Sequence, residues 1–204
     1  MAEPYCEPAD IKNAMPDTDW GTAYEGILHN LAGRASRVID TFTGRRPGAY
    51  KLLADETLYF TGDGSSSLWV ELAQAPTTVA VDEDADGSLD DYVTWAVTNY
   101  KVWPPHALIM GQPYQRLDIA MFAQKLYWPP WEDCIKIIGR HGYSTIPPEE
   151  IVQASIIQAG RWFKRGQQAF QDTGAIAELG KLTYTKRLDP DVAEIIDHYK
   201  RVTI

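Results

Sequence analysis

Nine consecutive residues carry the densest chemistry in the chain: Asp82-Glu83-Asp84-Ala85-Asp86-Gly87-Ser88-Leu89-Asp90. Asp82, Asp84, Asp86 and Asp90 stand at positions 1, 3, 5 and 9 of a calcium-loop pattern, with Gly87 at position 6, and oxygen ligands of that kind suit a hard cation. The pattern stops short. Position 12 needs a bidentate acid and holds Val93, and the flanks read as strands rather than helices. The segment therefore reads first as a solvated hairpin turn and second as a weak cation site. Two other clusters invite chemistry. In Gly139-Arg140-His141-Gly142-Tyr143 a cation and an imidazole are close, yet a strand-ending turn accounts for the same glycines. Arg161, Lys164 and Arg165 invite a phosphate, yet cations are expected where a helix ends, and helix capping is the favoured reading. The four histidines, His29, His106, His141 and His198, are not spaced as metal ligands, and no nucleophile elbow, Walker loop, zinc-protease or dinucleotide motif is present. No base and nucleophile converge, so no catalytic residue and no cofactor is assigned.

Charge and composition narrow the class. The chain has 204 residues and a formal net charge of −9. Six acids lie between Asp82 and Asp91 with no base among them, and removing those six leaves −3. Such a chain is poorly suited to gripping a nucleic-acid backbone, although it suits a channel through which DNA slides without sticking. From Arg161 onward eight Lys and Arg face six Asp and Glu. A basic end and an acidic middle suit stacking of copies or docking on an acidic partner. At 45% hydrophobic and 23% charged the chain can bury a core, and seven Trp with eleven Tyr favour large contact surfaces. Cys6 and Cys134 are far apart and show no zinc spacing, which suits a reducing place of synthesis. The opening residues lack a secretory signal, and no apolar run is long enough for a membrane span.

The elements that must position these groups follow from periodicity. Pro8 opens a short helix over Glu7 to Ala14. A longer helix is predicted from about Trp20 to Thr43, N-capped by Asp17, Thr18 or Asp19. Its apolar stripe is Ile27, Leu28, Leu31, Ala35, Val38, Ile39 and Phe42. Gly44 stands where a left-handed cap belongs, with Arg45 and Arg46 at the negative end of the dipole. Thr57–Phe60 and Ser67–Leu72 read as a hairpin around Gly62-Asp63-Gly64. Thr77–Val81 and Asp91–Val97 flank the acidic loop in the same way. Arg116–Met121 alternates through Leu117, Ile119 and Met121, and Ile135–Ile138 is a short apolar strand. Trp103-Pro104-Pro105 and Trp128-Pro129-Pro130 are stiff connections. Pro147-Pro148-Glu149-Glu150 starts a helix running to Arg165, with Ile151, Val152, Ser155, Ile156, Ala159, Trp162 and Phe163 on its apolar face. Gln171 to Gly180 is weakly patterned and is expected to be mobile. A short helix follows Asp189-Pro190, with Val192, Ile195, Ile196 and Tyr199 on one side. The expected class is α+β. Residues 1–46 and 146–204 form one helical core, and 47–145 form a β-rich insert of hairpins.

This order of segments resembles the head–tail connector (adaptor, or head-completion) proteins of long-tailed bacteriophages. The likeness is carried by Tyr5-Cys6-Glu7-Pro8-Ala9-Asp10-Ile11-Lys12 and by the helix ending Ile39-Asp40-Thr41-Phe42-Thr43-Gly44-Arg45-Arg46. It continues through Leu58-Tyr59-Phe60 with Gly62-Asp63-Gly64-Ser65-Ser66, the Val81–Gly87 hairpin and Ile137-Ile138-Gly139-Arg140-His141-Gly142-Tyr143. The helix ending Arg161-Trp162-Phe163-Lys164-Arg165 and Asp189-Pro190-Asp191-Val192 complete it. Residues 97–131 match least. The resemblance implies a non-catalytic ring of copies, twelve to match the portal. Such a ring lies in the virion at the head–tail interface, extends the DNA channel without binding DNA specifically, and offers a platform to the tail or a stopper protein. Synthesis in the host cytoplasm is implied as well. Ile27, Leu31, Val38 and Phe42, with Arg161, Trp162, Lys164 and Arg165, become candidates for contact with a neighbouring copy or the portal. So do Val192, Ile195, Ile196 and Tyr199, within a segment from Asp189 to Ile204 that would reach either one. Asp82, Glu83, Asp84 and Asp86 would line the channel or meet a partner. The rival readings are a stopper or tail terminator, a hydrolase built on His141, and a weak calcium-binding module.

Overall fold

The computed structural model describes residues 3–16, 18, 20, 24–84, 91–170 and 188–201. It is an α+β chain of helices and two antiparallel sheets. Two compact units emerge: Met1–Gly48 with Pro147–Ile204, and Ala49–Ile146.

The first unit is helical. α1 (Pro8–Asn13) opens on a proline at its first position, and the Asp10 carboxylate accepts the Glu7 N–H at 2.8 Å, which satisfies an orphan donor at the helix start. α2 runs Glu25–Thr43. Residues 17, 19 and 21–23, where the expected N-caps Asp17 and Asp19 fall, lie outside the described residues, whereas Thr18 is described and α2 begins well after it. Gly44 adopts the left-handed conformation (φ 67°), Arg45 N–H donates to Asp40 O at 2.9 Å, and the last carbonyls of the helix are thereby satisfied.

The buried face of α2 is rotated from the expected stripe. Leu28, Ala32, Ala35 and Ile39 are fully buried, joined by the polar Ser36, Asp40 and Thr43, while Ile27 remains 48% exposed. Small residues at 32, 35 and 36 allow close approach, so Ile27 is displaced from the seam. α3 spans Glu149–Phe170. With α1 and α2 it encloses Cys6, Ile11, Leu28, Ala159 and Phe163, and the rings of Trp20 and Tyr24 pack on Phe163 at 5.0 and 5.4 Å. α4 (Pro190–Ile196) is capped by the Asp189 carboxylate, which accepts the Asp191 N–H at 3.0 Å. A 3-10 turn, Asp197–Tyr199, follows.

Among the described residues the second unit holds seven strands: β1 (Glu56–Phe60), β2 (Ser67–Leu72), β3 (Thr78–Val81), β4 (Val93–Thr94), β5 (Tyr100–Trp103), β6 (Tyr114–Ile119) and β7 (Ile135–Gly139). The sheets have orders β1-β7-β3-β4 and β2-β6-β5. Leu68, Leu72, Val79, Leu117, Ile135 and Ile137 come from both sheets into one core, around the stacked pair Trp95 and Trp128 (5.0 Å, 23°). The Trp128 indole N–H donates to Leu117 O at 3.1 Å, so its polar atom is satisfied inside that core.

Two expectations are corrected here. β1 and β2 are not a hairpin: β1 pairs with β7, β2 with β6, and residues 61–66 carry the chain from one sheet to the other. The glycines serve close approach instead. A Cβ on Gly62 would stand 2.3 Å from the Pro129 carbonyl oxygen, and the crossing is pinned by Gly64 N–H to Trp128 O and Trp128 N–H to Ser65 O. β6 ends at Ile119, not Met121, because Ala120 N–H donates to Asn99 O and a turn follows from Ala120 to Ala123. The acidic segment does sit in a β3–β4 hairpin, paired Ala80 to Thr94 and Val81 to Val93. β5 was not anticipated.

Candidate functional site

The acidic hairpin is anchored from its base. Asp82 is only 3% exposed. Its N–H donates to Cys134 O at 2.8 Å, its carboxylate accepts the Asp84 N–H at 3.2 Å, and its carbonyl accepts the Trp131 indole N–H at 3.3 Å. Glu83 accepts the Trp95 indole N–H at 2.8 Å and ion-pairs with Lys125. The hydrogen bond from the Lys125 ammonium holds the Glu83 carboxyl below the usual carboxylate range; burial opposes it, and the Trp95 indole and the Lys125 charge add to the lowering. Asp84 is exposed; Asp86 and Asp90 lie outside the described residues. Among the described residues no three His, Cys, Asp or Glu side chains stand together as a metal centre.

Arg140 and His141 diverge in their work. Arg140 donates to Leu52 O at 3.0 Å and lies 3.5 Å from the Asp55 carboxylate. His141 is buried against Phe60, with Nε2 3.2 Å from Ile137 O. The pair finishes β7 and fastens the entry to the unit. Of the other histidines, His29, His106 and His198 are all exposed.

Arg161, Lys164 and Arg165 do not close their helix. α3 continues to Phe170, so the C-terminal dipole accounts for none of the three. Arg161 ion-pairs with Asp189. All three border a groove of about 460 Å³ whose floor includes Met15, Ile156 and Ile157. This juxtaposition of an apolar floor and a cationic rim was not visible in the chain, because Met15 and Ile156 are brought together only by tertiary packing.

The remaining candidates spread over a range of environments. Leu31, Val38, Phe42 and Trp162 are half-buried, and Lys164 is exposed. Val192, Ile196 and Tyr199 are buried inside their own unit, and Ile195 is half-buried. The Tyr199 hydroxyl donates to Glu150 at 3.0 Å, and the main-chain bond of Glu150 followed by this one lowers the Glu150 pKa.

Two surfaces escaped sequence reasoning. After β6, Met121 and Phe122 are 88% and 95% exposed, and Leu126 is 80% exposed. The uninterrupted alternation 117-119-121 disguised Met121 as core. On the outer side of the three-stranded sheet, Arg116 pairs across to both Trp69 and Trp103, with its guanidinium 5.6 and 5.1 Å from their rings.

No protein-family model matches the chain, and no curated protein matches it. Solved structures do. The chain is similar to one in the neck of an empty GTA particle computed with C6 symmetry, at 15% identity and a TM-score of 0.59, covering 100% of this chain and 94% of that one. It is similar to one in the virion of a native gene transfer agent (GTA) particle, at 16% identity and 0.54, with coverage of 100% and 94%. It is also similar to one in the neck of a native GTA particle computed with C12 symmetry, at 14% identity and 0.53, covering 96% and 88%. At these identities the likeness is one of fold, and it spans essentially the whole chain.

Proposed function

We propose that the chain is a structural, non-catalytic subunit of the neck that joins head to tail in a phage-like particle. The observation that carries this reading is the full-length likeness to chains in GTA particles, two of them solved as necks. The finer assignment is an adaptor: a ring of twelve copies under the portal that lengthens the DNA channel and gives the tail its platform. The C12 symmetry of one similar neck and the ordered motifs from Tyr5 to Val192 favour this over a stopper or tail terminator.

A ring requires that two different patches of one copy meet on successive copies. Ile27 and the half-buried Leu31, Val38 and Phe42 offer an apolar strip on α2 for that purpose. Asp82 is buried and Glu83 is paired with Lys125, so the carboxylates that the hairpin presents among the described residues are those of Asp84 and Asp91, which in a channel wall would repel phosphates and leave DNA free to pass. The experiment is to mix the purified protein with the portal ring encoded in the same genome and to image the product by electron microscopy. The expected product is a second ring stacked coaxially on the narrow end of the portal. A protein that stays monomeric and leaves the portal bare would overturn the adaptor assignment.

A further inference from the structure

We infer that one copy of this chain seats the apolar loop after β6 in the basic-rimmed groove along α3 of the next copy. This rests on the ring reading and gives it a specific contact. Lys125 ties two features of the second unit together. Its ammonium pairs with Glu83 and lies 5.5 Å from the Trp95 ring, which brings the loop bearing Met121, Phe122 and Leu126 against the foot of the acidic hairpin. Three highly exposed apolar side chains thus stand on a loop fastened to the hairpin that carries the exposed carboxylate of Asp84, the neighbour of Glu83.

The groove on the first unit has the opposite character. It is lined by Met15, Ile156 and Ile157 and by Arg161, Lys164 and Arg165; Arg161 is already paired with Asp189, so the exposed Lys164 is the cation on which the contact relies. At about 460 Å³ it has room for an aromatic and a thioether side chain together. Apolar loop matches apolar floor, and acid flank matches cationic rim, so the two complement each other in both respects. The surfaces belong to different units of the chain. A contact between them is thus heterologous, and it repeats from copy to copy until a ring closes. Buried at its centre, Phe122 acts as the anchor; the charges around it set orientation and association rate.

The test uses the full chain. Assembly is followed by mass photometry across a concentration series, alone and with the portal ring, and melting temperature reports that each variant is folded. Phe122→Ser and Lys164→Glu are each expected to raise the concentration for half-assembly at least tenfold, and Asp84→Lys combined with Lys164→Glu to recover part of that loss. Under oxidation, the double variant Phe122→Cys, Ile157→Cys is expected to give a ladder of disulfide-linked multimers; Cys6 and Cys134 are buried and do not contribute. Should a substitution unfold the protein, this ladder decides alone. Rings that form undisturbed in every variant, with no ladder, would overturn this contact and leave the ring reading standing. A wild-type chain that never self-associates, even on the portal, would overturn both.

Discussion

Arg45 donates its Nε–H to the main-chain carbonyl of Tyr199 at 3.1 Å, across 154 positions of sequence. Beside it, the Arg201 N–H donates to the Thr43 carbonyl at 2.8 Å. The cation that sequence reasoning assigned to the dipole of α2 thus fastens the C-terminal turn to the end of that helix. Arg45→Ala is expected to cost about 1 kcal/mol and to speed amide exchange at Arg201 while leaving β7 protected. Hydrogen exchange followed by mass spectrometry reads both regions in one experiment, and equal protection of the C-terminal turn in wild type and variant would contradict the fastening role.

Asp40 is buried on α2, accepting from the Tyr5 hydroxyl and from the Gly48 N–H at 3.1 Å, with Arg37 at 3.2 Å. Burial lifts its carboxyl above the ordinary value of 3.8, and the bonds from Tyr5, Gly48 and Arg37 only partly oppose that. In the interval between the unfolded and folded values the native state keeps a proton that the unfolded chain has lost. The contribution of this group is therefore full below the unfolded value and declines as pH rises through the folded one. Asp40→Asn removes the titration. The stability of the wild type relative to this variant is expected to fall as pH rises from about 4; a difference in Tm that is flat with pH would refute the assignment.

Two glycines are expected to respond differently to alanine. At Gly62 the new Cβ meets main-chain oxygen on the Trp128–Pro129 segment, which cannot withdraw, and about 3 kcal/mol is expected to be lost. At Gly44 the surroundings are open and only the left-handed conformation resists, so about 1 kcal/mol is expected. Urea unfolding of the two variants compares them directly, and the reverse order would mean that the crossing between sheets relaxes.

The acidic hairpin is expected to owe its shape to Asp82 and not to a cation. Asp82→Ala loses the bond to the Asp84 N–H and should lower Tm by about 3 °C, the equivalent of about 1 kcal/mol in a chain of this size. Calcium at millimolar levels should leave Tm unchanged. A calcium-dependent rise that Asp82→Ala abolishes would reinstate the cation site.

Signals confined to neighbouring residues were legible in the chain. Pro8, Gly44, the Pro147–Glu150 start and the Asp189 cap mark helix ends by local backbone chemistry, and the structure has helix ends at each. Strand existence was legible for the same reason at Ser67–Leu72 and Ile135–Gly139. Pairing was not. Which strand faces β1 depends on the 61–66 crossing, whose glycines look the same in a hairpin as in a close approach to Pro129. Buried polar groups were not legible either: an apolar stripe leaves out Ser36 and Asp40, yet both are buried on α2, where Tyr5 supplies a main-chain donor to one and a hydroxyl to the other. The groove beside Arg161 and the loop at Phe122 were hidden because exposure and concavity are properties of packing. Periodicity carries neither.

The second unit begins and ends at one place. The Tyr143 and Ser144 N–H groups donate to Ala49 O at 2.8 and 3.2 Å, and the Leu52 N–H donates to Ser144 O. A segment whose first and last residues are hydrogen-bonded neighbours can be gained, lost or replaced by recombination without stretching the helices that flank it. Variation in chains of this fold would then accumulate as exchange of whole cassettes at Ala49 and Ser144, with the helical scaffold inherited intact, and chimaeras joined at those two residues are the natural unit for exchanging the β-rich unit.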